Sequence, residues 1–338
     1  MNDAVRPMTG PTETPRPAPP DGTARHFTFL LLDRFSLLSF AGAVECLRLA
    51  NRIAGRTLYA WSLTGDGGGP VASSAGLAFA VDHDLGDPPR GATILVCGGI
   101  DVARATSRRV VAWLRRMARN GGDIGGLCTA AHTLATAGLL DERQATIHWE
   151  NMEGFAEAFD DVDLTRRVFA IDGNRMTTAG GTASIDLMLR LIARDQGEEL
   201  ANAVADQLIY SSIRTDQDQQ RLSTPTRIGV RHPKLSTVIQ RMEAHIEEPI
   251  SPAILARQVG LSTRQLERLF RRYLNRSPKR YYMELRLERA RKLLMQTDMS
   301  VINVGLACGF TSPSHFSKCY RSHYDTTPYR ERGSHARA

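Results

Sequence analysis

Between His26 and Tyr210, short apolar runs alternate with longer stretches in which apolar residues return every three or four positions. HFTFLLL (26–32) reads as a buried strand, and YAWSLTG (59–65), ATILVCGG (92–99) and GGDIGGLC (121–128) supply three more. SFAGAVECLRLANRI (39–53), SRRVVAWLRRMARN (107–120) and AAHTLATAGLL (130–140) carry the period of helices. Strands alternating with helices predict an α/β domain over about 25–210, with a doubly wound, mostly parallel sheet covered on both faces. Residues 211–232 are polar and lack a core pattern, which predicts an interdomain linker.

From Pro233 the pattern is helical throughout, and it repeats. Ser251, Ala256, Val259, Gly260 and Leu261 recur 49 positions later as Ser300, Gly305, Cys308, Gly309 and Phe310. After one inserted residue, Leu266, Leu269, Phe270 and Pro278 recur 50 positions later as Phe316, Cys319, Tyr320 and Pro328. Each position has a physical reason. Ser251 and Ser300 are good helix N-caps, Ala256 and Gly305 are small enough for a second helix to cross closely, and Gly260 and Gly309 suit the positive φ of a sharp turn. The pattern is that of a helix-turn-helix, present twice in an all-α domain over 233–332.

In the second helix of the first unit, Leu266, Leu269, Phe270 and Tyr273 fall on one face and leave Arg264, Glu267, Arg268 and Arg271 on the other. The second unit leaves Ser314, Ser317, Lys318 and Arg321 in the corresponding places. Arg264, Arg268, Arg271, Ser314, Ser317, Lys318 and Arg321 are therefore the candidate DNA-reading residues. Between the units, 279–297 reads as one amphipathic helix with Met283, Leu287, Ala290 and Leu294 on a face. At about 1.5 Å per residue it spans close to 30 Å, against the roughly 34 Å between successive major-groove faces of B-DNA.

Charge follows the same division. From Pro233 onward there are 19 Lys and Arg against 9 Asp and Glu, a net of +10, whereas residues 1–232 carry −3. A positive surface of this kind suits the neutralisation of phosphates. No basic amphipathic helix presents a broad Trp, Phe and Leu face to a membrane, and no run approaches 18 apolar residues. Residues 1–24 hold six of the sixteen prolines and predict a disordered tail, with no apolar segment of a signal peptide after Met1. The five cysteines, Cys46, Cys97, Cys128, Cys308 and Cys319, include no C-x-x-C pair, which argues against disulfides or zinc and for a reducing cytoplasm.

Ligands of open α/β sheets collect beyond the carboxyl ends of strands. At one such junction Gly98 and Gly99 let backbone N–H groups approach a ligand, although a glycine pair equally makes a plain turn. At another, Cys128 sits between a strand and a helix, either as a thiol activated by the helix N-terminus or as an inert buried side chain.

Residues from about 233 to 332, closing in GFTSPSHFSKCYRSHYDTTPYRER (309–332), resemble the DNA-binding domain of AraC/XylS-type transcriptional regulators. Residues 26–210 resemble the PfpI-type, class I glutamine amidotransferase-like domain, of flavodoxin-like fold, that one branch of those regulators carries. GLCTAAHTLATAGLLDERQATIHWE (126–150) is similar to its nucleophile-elbow segment, so the resemblance places Cys128 on the reactive Cys and His148 on its partner. TTAGGTASIDLMLRLI (177–192) resembles the segment that closes the pocket, with Thr182 near it. Enzymes of the superfamily hold a carboxylate on the first helix, and that place here belongs to Ser39; Thr129 follows the Cys where peptidase-like members often have His. Glu45 lies six residues further on, on a different helix face, as a structural or subunit-contact residue. The resemblance thus implies a retained ligand pocket without catalysis and without a cofactor.

SFAGAVECLRLANRIAGR (39–56) together with ATIHWE (145–150) is similar to regulators sensing arginine or quaternary amines such as glycine betaine and carnitine. Trp149 is either a face for such a cation, worth about 0.5–2 kcal/mol, or core filling. His132 reads as a packed or capping residue. The expected whole is a cytoplasmic, ligand-responsive activator whose partners are promoter DNA, a small effector, RNA polymerase and a second copy of the chain, with no membrane. A Cys-dependent amidase fused to a DNA-binding domain and a constitutive architectural DNA binder are the alternatives.

Overall fold

The computed structural model describes residues 24–220 and 232–335, so the expected tail, apart from Ala24, and positions 221–231 of the expected linker lie outside the described residues. Contacts divide the chain into two compact units, one of residues up to Ile147 with Arg167–Asp218, the other of His148–Arg166 with the chain from Gln219 onward.

The first unit is built on a six-stranded sheet of β1 (Arg25–Leu31), β2 (Tyr59–Thr64), β3 (Thr93–Cys97), β4 (Ile124–Leu127), β5 (Phe169–Asp172) and β6 (Arg175–Thr178). The order is β2-β1-β3-β4-β6-β5, parallel except for the edge pair β6–β5. The four expected strands are the four consecutive in this order, and their near-continuous apolar runs follow from burial on both faces. β1 turns Phe27, Phe29 and Leu31 into one core with Leu95 and Cys97 of β3, and Leu30, Ile94 and Val96 are buried as well. The edge hairpin β5–β6 was not expected: its strands are four residues each, too short for a periodic signal.

The helices of this unit are α1 (Leu37–Ala54), α2 (Val102–Ala105), α3 (Arg108–Arg119), α4 (Ala131–Thr136), α6 (Ala183–Gln196) and α7 (Glu198–Gln207). α1, α6 and α7 pack together over the Phe27 core. The predicted helix over 130–140 stops at Thr136, where Gly138 takes φ 68°.

The second unit holds α5 (Met152–Ala158), α8 (Pro233–Ala244), α9 (Pro252–Gln258), α10 (Thr263–Leu274), α11 (Pro278–Gln296), α12 (Val301–Ala307), α13 (Pro313–Tyr324) and α14 (Pro328–His335). The repeat extends into every cap. Ser251 and Ser300 accept from the backbone N–H groups of Ile254 and Asn303, Ser262 and Ser312 cap α10 and α13, and Asn275 and Asp325 end those helices at φ 52° and 55°. Each helix-turn-helix has its own core. Leu255, Leu266 and Phe270 pack with Leu235 and Met242 of α8, and Val304, Phe310, Phe316 and Tyr320 pack with Leu287, Ala290 and Leu294 of α11.

α11 departs from the expected single apolar face. It buries Tyr282 in the first core and Leu287, Ala290, Leu293 and Leu294 in the second, because a helix shared by two units needs an apolar surface for each. One other placement is a correction. Tyr273 is exposed and its ring lies against His232, while Leu274 packs inward in its stead. Cys308 is fully buried, but Cys319 is only half-buried, its sulfur 3.3 Å from Nε2 of His315.

Candidate functional site

Cys128 follows β4 directly and holds φ 63°, a backbone strain that a non-glycine residue keeps only where its surroundings impose it. Three neighbours do so. Gly180, at the end of the chain leaving β6, approaches so closely that a Cβ there would lie 2.6 Å from Cys128 Cβ. Gly98 faces the same turn, where a Cβ would lie 2.5 Å from the backbone N of Ala130. The hydroxyl of Thr129 donates to the carbonyl of Gly99 at 2.7 Å. The tight packing explains the glycine pair at 98–99, and the N–H of Gly98 donates to the carbonyl of Leu127 rather than standing open to a ligand.

Ser39, on α1, is fully buried in the same place. It accepts from the N–H of Gly181 at 2.8 Å and donates to Oγ of Ser36 at 3.0 Å. The hydroxyl therefore ties the first helix to the Gly180–Gly181 turn and carries no charge for proton transfer. The other buried thiol of the region, Cys97, is pushed up by burial and by the facing Cys128, which keeps it protonated. Glu45 lies away from this site, paired at the surface with Arg48 at 2.6 Å.

Thr182 begins α6 and is exposed, its hydroxyl accepting from Nη2 of Arg214 at 2.8 Å. Ser39, Gly98, Gly99 and Cys128 thus meet around one elbow, with Thr182 one residue beyond Gly181. His148 and Trp149 belong by their contacts to the second unit. There Nζ of Lys292, on α11, lies 4.9 Å from the centre of the Trp149 ring, and Glu153 of α5 pairs with Arg289 at 3.9 Å.

In the second unit the polar faces of α10 and α13 are open. Arg264, Arg268, Arg271, Ser314, Lys318 and Arg321 are exposed and Ser317 is half-buried. Among the described residues no ion pair is found for the five cations. The connecting helix holds both readers in place. The Tyr282 hydroxyl donates to the carbonyl of His245 and accepts from the N–H of Ile250, fixing the entry to the first unit. Arg286 donates to the carbonyls of Cys308 and Gly309 at 2.8 and 2.7 Å and lies 4.1 Å over the Phe310 ring, clamping the turn of the second.

Comparison with known proteins agrees with both units. The helix-turn-helix domain family matches residues 255–334, and the DJ-1/PfpI family matches residues 26–194. The HTH-type transcriptional regulator GbdR of Pseudomonas aeruginosa is 45% identical over 321 residues, 95% of this chain and 88% of that protein. The regulator CdhR of the same organism is 46% identical over 91% of this chain and 92% of its own length. A crystal structure of an AraC family transcriptional regulator from Pseudomonas putida aligns at 28% identity and a TM-score of 0.50, covering 54% of this chain and 99% of that one.

The chain belongs to the AraC-type helix-turn-helix regulators with an N-terminal DJ-1/PfpI domain.

As a member of that family it is a DNA-binding transcriptional regulator, and these relatives lend no support to the amidase alternative. No described helix is long and apolar enough to cross a membrane. In such a regulator the residues that sequence reasoning missed are those whose partners lie far along the chain. Arg286 is one. Asp186 is another: it is wholly buried, and Arg214 of the expected linker reaches it at 2.6 Å. The signal for Asp186 was present, a lone acid inside the apolar run SIDLMLRL (184–191), since a carboxylate there needs a partner.

Burial holds His26, His132 and His148 below the usual 6.5; for His148 the charge of Glu150 opposes this and that of Lys292 adds to it. A histidine depressed in the fold leaves the unfolded chain binding more protons at mildly acid pH. Stability is then unaffected above about 6.5 and falls as pH drops below it through the lowered folded values. The urea midpoint of the protein should be lower at about pH 5.5 than at about pH 7.5, and an equal midpoint would contradict this.

Proposed function

We propose that this regulator is a cytoplasmic, ligand-responsive activator that reads its promoter through Arg264, Arg268 and Arg271 in the first unit and Ser314, Ser317, Lys318 and Arg321 in the second. The observation that carries the reading is the doubled helix-turn-helix whose polar faces stand open on a shared helix. At about 1.5 Å per residue, 19-residue α11 runs nearly the length of one DNA turn, which suits two reading helices in successive major-groove faces. Three arginines against one lysine and one arginine make the first unit the main source of affinity and the second the refinement of sequence choice.

The effector is a small nitrogenous metabolite of the arginine or quaternary-amine class, in keeping with the resemblance of 39–56 and 145–150. The resemblance puts its pocket at the elbow of the first unit, with Ser39, Gly98, Gly99, Cys128 and Thr182; His148 and Trp149, which the resemblance adds, belong to the second unit. The domain binds and does not catalyse: Ser39 replaces the acid that chemistry at Cys128 requires. Binding changes transcription by favouring one arrangement of the chain, alone or as a homodimer, in its contact with RNA polymerase. The relatives named as transcriptional activators, such as RhaS of Escherichia fergusonii, match 95 residues, 28% of this chain, at 35% identity, and support the sign of regulation.

Cys128→Ala tests the absence of covalent chemistry. Effector-dependent expression from a reporter should stay within about twofold of the wild type, whereas loss of the response with the protein folded and DNA binding retained would restore a chemical role for the thiol.

A further inference from the structure

The segment after α7 does not leave the first unit directly. Residues 210–218 run back across it as a strap, and the buried carboxylate of Asp186 fixes them there. Asp186 accepts from the Tyr210 hydroxyl at 3.0 Å, from the backbone N–H of Arg214 at 2.8 Å, and from the Arg214 guanidinium at 2.6 and 2.9 Å. The far end is pinned by the N–H of Val168 donating to the carbonyl of Asp218 at 2.9 Å, two residues before the chain passes out of the described residues towards α8.

Beneath the strap lies a cavity of about 220 Å³ between β5, α6 and α7. That is room for a small organic molecule and more than a single water needs. Its deep walls are Phe169, Leu189 and Ala201 together with the Asp186 carboxylate held by Arg214, and Ala193 of α6 and Ile213 of the strap close its sides. Its charged groups are unequal. Asp186 and Arg214 neutralise each other, which leaves Glu198 and Asp216 against Arg190. Glu198 and Asp216 are exposed, so their charge is fully hydrated when the cavity holds no solute. A cleft of mixed lining, with an aromatic and aliphatic floor and an excess carboxylate at its exposed rim, suits a cation that carries hydrocarbon and is weakly hydrated.

We propose that the cavity under the strap is a binding site for a small organic cation of the alkylammonium or guanidinium class, separate from the elbow at Cys128. The cation sits among Phe169, Leu189 and Ile213 with its charge towards Glu198 and Asp216. Since Ile213, Arg214 and Asp216 belong to the strap, occupancy holds down the segment that leads into the DNA-binding helices. A ligand that binds only the strapped form stabilises that form in proportion to its affinity.

The test uses the full-length protein and two probes, methylguanidinium and tetramethylammonium, titrated by calorimetry, with limited proteolysis of the strap as a second readout. Saturable binding and slower cleavage within 211–220 are expected for the wild type. Glu198→Gln with Asp216→Asn, both at exposed positions, should raise the dissociation constant about tenfold. Ile213→Glu should tighten binding several-fold and Ile213→Lys should weaken it by a similar factor, which separates a charge effect from misfolding. No saturable binding to the wild type, or equal dissociation constants across these variants, would overturn the proposal. Should the variants leave probe binding unchanged while effector-dependent transcription persists, the elbow reading stands and this site falls. Should they lose the probe while transcription ceases to respond to any effector, the site stands and the elbow reading falls.

Discussion

Gly309→Ala should abolish promoter binding, whereas Gly260→Ala, the same position of the other repeat, should leave most of it. Both glycines make the inter-helix turn with positive φ, 75° and 64°. An alanine in that conformation costs about 1 kcal/mol at either site. The surroundings decide the rest. A Cβ at Gly309 would lie 2.5 Å from the carbonyl oxygen of Ile246 and 2.8 Å from that of Glu247, so backbone would have to move. At Gly260 the nearest atom is Nζ of Lys234 at 3.8 Å, the end of a flexible side chain. The turn at 309 also carries the clamp from Arg286, which donates to its carbonyl and to that of Cys308. Displacing it separates a half-buried guanidinium from both acceptors, and the total rises to about 3–5 kcal/mol, a large share of a domain's stability. Urea denaturation of the full chain should give a midpoint for Gly309→Ala far below that for Gly260→Ala, and gel-shift titration should follow the same order. Equal midpoints would mean that the two turns are not packed differently.

The second large effect concerns DNA. Replacing Arg264, Arg268 and Arg271 together with alanine should weaken promoter binding by about 10²–10⁴-fold at moderate salt and reduce the slope of log affinity against log salt by up to about 3. None of the three has an ion pair among the described residues, and all are exposed, so their loss disturbs no core. Lys318→Ala with Arg321→Ala should cost less affinity while relaxing the choice of sequence. An unchanged salt slope in the triple variant would remove α10 from the interface. A larger loss from the second unit would reverse the order of importance proposed for the two.

Much of this architecture was legible because local patterns produced it. The strands of the inner sheet announced themselves as apolar runs between glycines, and the doubled unit announced itself through caps, turns and core positions, all of which depend on residues within a few places of one another. Cys128 stood out locally only as a residue between a strand and a helix, and Ser39 was singled out through the family resemblance. Local patterns failed where a residue does two jobs or has a distant partner. α11 was expected to have one apolar face and has a surface for each core. Tyr273 was expected inside and lies outside, and Leu274 packs against the core instead. Gly98 and Gly99 were left between a ligand-facing backbone and a plain turn, and Gly98 gives its N–H to Leu127 as a turn does. Residues 211–232 were expected to be a polar linker without a core pattern, and within them Arg214 is tied to Asp186 across 28 positions of chain.

By itself, then, the sequence determined the two kinds of unit, the repeat and the division of charge, because periodicity and capping act over one turn or one strand. The tertiary structure alone decided which buried charges meet, which glycine is irreplaceable and where an empty volume lies. Those depend on close packing between segments 20 to 170 residues apart, from the Arg286 clamp on Cys308 to the pairing of Arg25 with Asp195. Packing at that range is set by the shape of the whole core, which leaves no periodic mark on the chain.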